Sequence, residues 1–232
     1  MIILVGGEKG GSGKSCLAQN IAVYLRTEEE GNVLMVDCDP QRTTSDWVQE
    51  RCSNPQLPHI NCIQLYGKIR NELLSLRERY DYLVIDCGGQ DNLALRSSMA
   101  VADHVLVPLR PKRRDLKTVE HMEDIVSTCQ MVNPNMNMAF VITQCPSLPS
   151  LAPRILEAKE VCRSYGLPVL DAVTYSRNMY DDSEESGMSV MESEPDGKCA
   201  TEIRQIIHEL LYRGQRGNHE PAELEAKIAL VQ

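Results

Sequence analysis

Aromatic side chains are scarce in this sequence: one Trp, one Phe and a few Tyr make up 4% of it. Its core must therefore be aliphatic. Little is left to stack on bases and no reading helix is evident, so sequence-specific DNA recognition is not expected. No apolar run reaches the roughly 20 residues of a membrane span. The opening MIILVGGEKGG lacks the basic stretch and small-residue cleavage site of a signal peptide. It reads instead as a first buried strand. Paired C-x-x-C cysteines are missing as well. The nine cysteines (16, 38, 52, 62, 87, 129, 145, 162 and 199) are odd in number and scattered, which points to reduced, mostly buried thiols in a cytoplasmic protein. A zinc or iron–sulfur site shared by two chains stays as an alternative, with Cys87 and Cys129 as its candidates. Net positive charge is also absent: the formal charge is −9, which argues against general coating by nucleic acid but leaves room for a local basic patch.

What the chain does have is alternation. Strand-like runs fall at 2–5, 33–37, 60–65, 82–86, 104–108, 138–143 and 168–173. Helical patterns fall at 14–26, 69–79, 93–102, 116–131, 152–165 and 200–211. Strands alternating with helices imply crossover units and a mostly parallel sheet covered on both faces. The continuous apolar runs MIILV, VLMV and YLVI suit its centre. The expected fold is single-domain α/β, a doubly wound sheet flanked by helices, over residues 1–212. Segment 181–197 is acidic and turn-rich and reads as a surface loop around a short apolar patch. A tail, 213–232, carries a short helix candidate with Leu224, Ile228 and Val231 on one face.

The stretch GGEKGGSGKS follows the first strand directly. Gly10, Gly11 and Gly13 let backbone N–H groups turn onto phosphate oxygens, and the helix starting near Lys14 adds its positive end. Lys14 is placed to reach the β- and γ-phosphates, and the Ser15 hydroxyl suits Mg²⁺. The strict phosphate-loop pattern fails at its first glycine position, which holds Glu8. Two more strands end in carboxylates. VLMVDCDPQ gives Asp37 and Asp39, two residues apart and on one side of the chain; YLVIDCGG gives Asp86. Carboxylates at the carboxyl ends of parallel strands lie where such sheets bind ligands. Together with the loop they form a constellation for Mg-nucleotide hydrolysis.

KGGSGKS with a leading lysine, VDCDPQ and YLVIDCGG resemble the deviant-Walker ATPases of the ParA/MinD superfamily, a P-loop NTPase class. The resemblance runs over about residues 1–212 and is nearest to the small ParA-type partition ATPases without an N-terminal helix-turn-helix domain. It implies that Lys9 crosses a dimer interface to the nucleotide of the other subunit, so that ATP holds two monomers together. It implies further that Gly10, Gly11, Ser12, Gly13, Lys14, Ser15 and Cys16 bind the nucleotide, and that Ser15, Asp37 and Asp86 serve Mg²⁺. Asp39 then positions the attacking water, making Lys9, Lys14 and Asp39 the catalytic set, and Gln144 approaches the base. The implied partners are a second copy, nonspecific DNA and a ParB-like protein, without a membrane, in a cytoplasmic, nucleoid-associated setting.

The chain departs from that pattern at Glu8, whose charge Lys9 or Arg42 is expected to offset, at Gly88-Gly89 and at the basic run RPKRRDLK. Two readings of the run stand: a nonspecific DNA surface using Lys112, Arg113 and Arg114, or a solvated helix start or interface. Lys198 and Arg204 are further DNA candidates. Three functions compete: a DNA-segregation ATPase, a MinD-type membrane or protein-positioning switch, and a metal-cluster carrier. The tail ELEAKIALVQ is poor in the cations that a membrane-bound helix uses.

Overall fold

The residues IILV at the start of the chain are buried on all sides, as a strand must be when helices cover both faces of its sheet. The computed structural model describes residues 1–89 and 93–212. In chain order these form β1 (Ile2–Val5), α1 (Lys14–Thr27), β2 (Val33–Asp37), α2 (Thr43–Ser53), β3 (Asn61–Gln64), α3 (Arg70–Arg77), β4 (Tyr82–Asp86), α4 (Leu93–Met99), β5 (His104–Leu109), α5 (Arg113–Leu116), α6 (Val119–Gln130), β6 (Asn137–Cys145), α7 (Pro153–Ser164), β7 (Val169–Tyr175), α8 (Met179–Glu184), α9 (Val190–Ser193) and α10 (Lys198–Tyr212). The seven strands make one sheet in the order β3-β2-β4-β1-β5-β6-β7, and every neighbouring pair is parallel. The expected fold class and all seven expected strands are present. The tail and its helix candidate lie outside the described residues.

The two-residue period of the strands divides the core in two. Ile3, Val5, Met35 and Val84 face α1 and α10, meeting Leu17, Ile21, Ile203 and Ile206. Ile2, Leu4, Leu34 and Ile85 face the other way, toward Leu73, Leu95 and Ile125. The same parity carries Asp37 and Asp86 onto the α1 side, and the two sit opposite each other in register at the carboxyl ends of β2 and β4. The outer edge of β7 is closed by α10: Glu209 accepts the N–H groups of Asp171 and Ala172 at 2.7 and 2.9 Å, and Glu202 accepts that of Tyr175 at 3.0 Å. Carboxylates on that edge satisfy donors that would otherwise template pairing with another chain.

Helix α2 was not expected. Its inward face is Thr44, Trp47, Val48 and Arg51, spaced as a helix requires but half polar, so hydropathy alone does not reveal it. The expected helix over 116–131 is present as α6 but starts later, at Val119. Leu116 instead closes α5, and Thr118 between them donates both its N–H and its hydroxyl to the Asp115 carbonyl, at 2.9 and 2.8 Å. The acidic segment 181–197 is not simply a surface loop. It contains the end of α8 and all of α9, and Ser189 and Glu192 form a capping box at the start of α9. Val190 and Met191 enter the core.

Glu192 also receives a two-pronged ion pair from Arg51, at 2.8 and 2.6 Å, while Arg51 donates to the carbonyls of Pro58 and Gly187. Burial works to raise the Glu192 carboxyl, and the Arg51 hydrogen bonds and charge overcome it, holding the group below its ordinary 4.5. A depressed carboxyl stabilises the fold above that value, and the contribution is lost as the pH falls through the folded one. Replacing Arg51 by Met should cost about 3–5 kcal/mol in urea unfolding near pH 7, because the carboxylate is left buried alone. The deficit should shrink in acid, where both states protonate. An equal deficit at all pH values would show that packing, not charge, is what Arg51 supplies.

Candidate functional site

From β1 the backbone turns through the glycine-rich loop into α1. Gly11 and Gly13 have φ of 69° and 84°, a region open to glycine and costly for other residues. Every carbonyl of residues 9–13 is held. Lys9 O accepts the Lys14 amine at 2.7 Å and the Ser12 hydroxyl at 3.2 Å. Gly10 O lies 3.4 Å from Nη2 of Arg110, at the end of β5. Gly11 O accepts from Gln144 at 3.0 Å and Ser12 O from Thr143 at 2.8 Å, both on β6. Gly13 O takes the first helical bond from Leu17 at 3.0 Å. The N–H groups of residues 10–16, by contrast, find no backbone acceptor among the described residues. Carbonyls tied outward and donors left inward make an anion nest at a helix N-terminus.

The Lys14 side chain is buried in this nest. Burial pushes its amine below the ordinary 10.5, with Asp86 and Asp39 pulling the other way. Lys9 is half-buried at the rim, and among the described residues its amine makes no hydrogen bond or ion pair. Asp37 is well supplied, accepting from the N–H and hydroxyl of Ser45 at 2.8 and 2.7 Å and from Asp39 N at 3.0 Å. Asp86 differs. Thr44 donates to its Oδ2 at 2.6 Å, yet Oδ1 has no partner among the described residues. Burial raises its carboxyl to about 6, against the Thr44 and Ser15 hydroxyls. An orphaned, fully buried carboxylate oxygen beside a second carboxylate and a serine hydroxyl fits a hard divalent cation with its water shell.

Asp39 is half-buried at the cleft wall. A Cβ on Gly88 would come within 2.8 Å of its Oδ2, and one on Gly89 within 2.8 Å of Gly10 N. Gly88-Gly89 is thus the form of turn that lets the end of β4 lie flat against the loop. The cleft has a volume of about 860 Å³; its far wall is Gln144, Arg177, Tyr180, Asp181 and Glu184. Cys16 also lines it, its thiol raised by burial and by the charge of Glu184. Gln144 therefore lies at the cleft but spends its amide nitrogen on the loop.

The structure joins Lys9, Gly10, Gly11, Ser12, Gly13, Lys14, Ser15, Cys16, Asp37, Asp39, Asp86 and Gln144 in one place. The basic candidates are not joined. Lys112, Arg113 and Arg114 are exposed at α5, whose Leu116 packs on the sheet face away from α1. Lys198 is exposed at the start of α10, on the opposite face, and Arg204 is engaged by Glu28 and by Pro195 O, at 2.8 and 2.7 Å. Glu8 is met not by Lys9 or Arg42 but by His121 of α6; Arg42 pairs with Asp46 at 3.5 Å. Among the described residues no group of three or more His, Cys, Asp or Glu is arranged to hold a metal ion by itself. Cys87 and Cys129 are both buried in the core. The sequence reading missed Thr44, Ser45, Thr143 and Arg110, the hydroxyls and guanidinium that orient the loop and the carboxylates.

Residues 3–190 match the family model for the CobQ/CobB/MinD/ParA nucleotide binding domain. The chain belongs to this family. Among relatives, it is 26% identical over 216 residues to the maintenance of carboxysome distribution protein A of Halothiobacillus neapolitanus, covering 90% of this chain and 95% of the other. It is likewise 26% identical over 198 residues to the chromosome partitioning protein ParA of Myxococcus xanthus, covering 67% of this chain and 69% of that one. The cobyrinic acid a,c-diamide synthase of Mycobacterium smegmatis, with bound ADP and magnesium, shares the fold at a TM-score of 0.72, with 19% identity over 95% of this chain and 97% of the other. The nest lies within the matched residues, and the orphaned Asp86 oxygen beside it has a measurable signature. Its carboxyl is raised above the ordinary 3.8, so the native state keeps its proton longer than the unfolded chain and stability declines as the pH rises through about 6. Asp86→Asn, without nucleotide or metal, should therefore raise the thermal midpoint at neutral pH, with the gain vanishing below about pH 4. A variant less stable than wild type at neutral pH would contradict the burial argument.

Proposed function

We propose that this chain is a Mg-dependent ATPase of the partition type, which pairs with a second copy of itself on ATP, binds DNA nonspecifically in that state and releases it after slow hydrolysis. The observation that carries the reading is the Lys9 amine, unpaired among the described residues, on the rim of a nest already served by Lys14. Lys14, the loop N–H groups and Mg²⁺ already serve the phosphates from within the chain, so a second cation at the open edge, with no partner among the described residues, suits a nucleotide held opposite. In this reading the N–H groups of residues 10–16 take the phosphate oxygens, and the Lys14 amine leaves the Lys9 carbonyl for the β- and γ-phosphates. Ser15, with Asp37 and Asp86 behind it, would hold Mg²⁺, which when bound offsets phosphate charge. Asp39 accepts a hydrogen bond from the attacking water and orients it. Lys9 of each copy faces the other's triphosphate in a water-poor interface, where a fixed cation stabilises the transferring group. Turnover is slow because positioning does most of the work and the site completes itself only on pairing.

DNA binding would use Lys112, Arg113 and Arg114, with Lys198 contributing from the other face; Arg204, already held by Glu28, is the weakest of these candidates. A ParB-like partner on the cargo would stimulate hydrolysis, in the cytoplasm and on the nucleoid. A second reading, positioning of a protein cargo by the same cycle, is favoured by the likeness to the carboxysome distribution protein across 90% of the chain. The membrane-switch alternative turns on residues 213–232, outside the described residues; no helix among those described is long and apolar enough to cross a membrane.

Lys14→Ala should abolish ATP binding in a calorimetric titration, and retained affinity would refute the loop assignment. Lys9→Ala should keep ADP binding within about threefold and lose the ATP-dependent dimer in light scattering; the central role of the amine predicts a loss of at least about 1.4 kcal/mol, or tenfold, in pairing. Asp39→Ala should accumulate an ATP-bound dimer, whereas normal turnover would reassign the carboxylate. Co-sedimentation of the ATP-loaded protein with plasmid DNA or with liposomes separates the segregation reading from the membrane one.

A further inference from the structure

Arg110 leaves β5 with its guanidinium already committed. Its Nε lies 2.6 Å from Asp115 Oδ2 and its Nη2 3.2 Å from Oδ1, a two-pronged fork of fixed orientation. The Asp115 side chain is 2% exposed, so the fork is set from inside the protein. Its remaining reach is toward the phosphate loop: Nη2 is 3.4 Å from Gly10 O, and Nη1 lies 3.4 Å from where a Cβ of Gly11 would be. Arg110 is also among the charges that depress the Lys14 amine.

On its other side Asp115 is the joint of α5. Its N–H donates to Lys112 O at 2.8 Å, and its carbonyl receives both donors of Thr118. Around this joint stand Lys112, Arg113, Arg114 and Lys117, all exposed. None of the four has an ion-pair partner among the described residues. In a chain of formal charge −9, four clustered cations left unpaired fit a polyanion from outside. Asp115 is the one fully buried residue of this four-residue helix, and it is locked to Arg110.

We propose that Arg110 and Asp115 form the link through which duplex DNA held by α5 acts on the nucleotide site. The peptide plane supplies the last step. Gly10 C=O and Gly11 N–H belong to one rigid unit, so a pull on the carbonyl from Arg110 turns the N–H that faces the phosphates. Arg110 is thus a positioning residue, and by linkage DNA and nucleotide strengthen each other by one common factor. The inference rests on the reading of this chain as an ATP-dependent DNA binder and adds the route of its regulation.

The test measures the affinity for a non-hydrolysable ATP analogue with and without a short duplex, in wild type and in the double variant Arg110→Gln with Asp115→Asn. That variant keeps a polar side chain at both positions, isosteric at Asp115, and leaves no buried charge alone. Wild type should bind the analogue about fivefold more tightly, or better, with DNA present. In the double variant that ratio should fall to about one, with the thermal midpoint near that of wild type and the analogue still bound. A double variant that keeps the wild-type ratio overturns the link and leaves the DNA reading intact. Wild type that sediments with DNA but shows no change in analogue affinity overturns the ATP dependence of DNA binding, and the link with it, because the coupling is reciprocal. Wild type that retains no DNA with the analogue overturns the reading itself, and the link with it. A gain produced by polyglutamate and not by DNA refutes DNA as the partner.

Discussion

Loop N–H groups that find no backbone acceptor among the described residues govern this molecule. A backbone donor buried without a partner costs about as much as a lost hydrogen bond, and a run of them is tolerated only where a ligand or solvent completes it. Here the run exists because side chains from other strands hold the opposing carbonyls. Thr143 and Gln144 reach in from β6, Arg110 from the end of β5, and Lys14 from α1 itself. The loop is therefore an outcome of the sheet order. With β1 central, β4 and β5 beside it and β6 one place further, the carboxyl ends of several strands converge on one short turn.

Charge in the site follows a division of labour. Asp37 is fully served by hydrogen bonds and Asp86 is not, although the two stand opposite each other in register. The difference arises at α2, whose first residues offer Asp37 an N–H and a hydroxyl but Asp86 only the Thr44 hydroxyl. A helix whose inward face is half polar thus sets the electrostatics of the site. It is held in place by the buried fork from Arg51 to Glu192 across to α9.

Much of this was legible in the sequence. The apolar runs IILV, VLMVD and YLVID define the three strands that carry the loop and the carboxylates, because fully buried parallel strands have no other composition available. The glycines and lysines of the loop needed only local chemistry. What escaped depended on contacts between distant residues. Thr143 and Arg110 look like an ordinary strand residue and part of a basic run until the fold brings them to Ser12 and Gly10, about 130 and 100 positions away. Helix α2 escaped because an arginine and a threonine occupy core positions, and the segment around α9 because its carboxylates outnumber the two apolar residues that anchor it. The exposed cations of α5 were visible, but the buried Asp115 that fastens them to the loop was not.

The most direct test of the central claim is to watch the loop amides themselves. In ¹⁵N-labelled protein titrated with Mg-ATP analogue, the amide signals of Gly10, Gly11 and Gly13 should move further than those of the sheet, and their exchange with solvent should slow as the phosphates become their acceptors. Saturable binding with those three signals unmoved would place the nucleotide elsewhere and contradict the account.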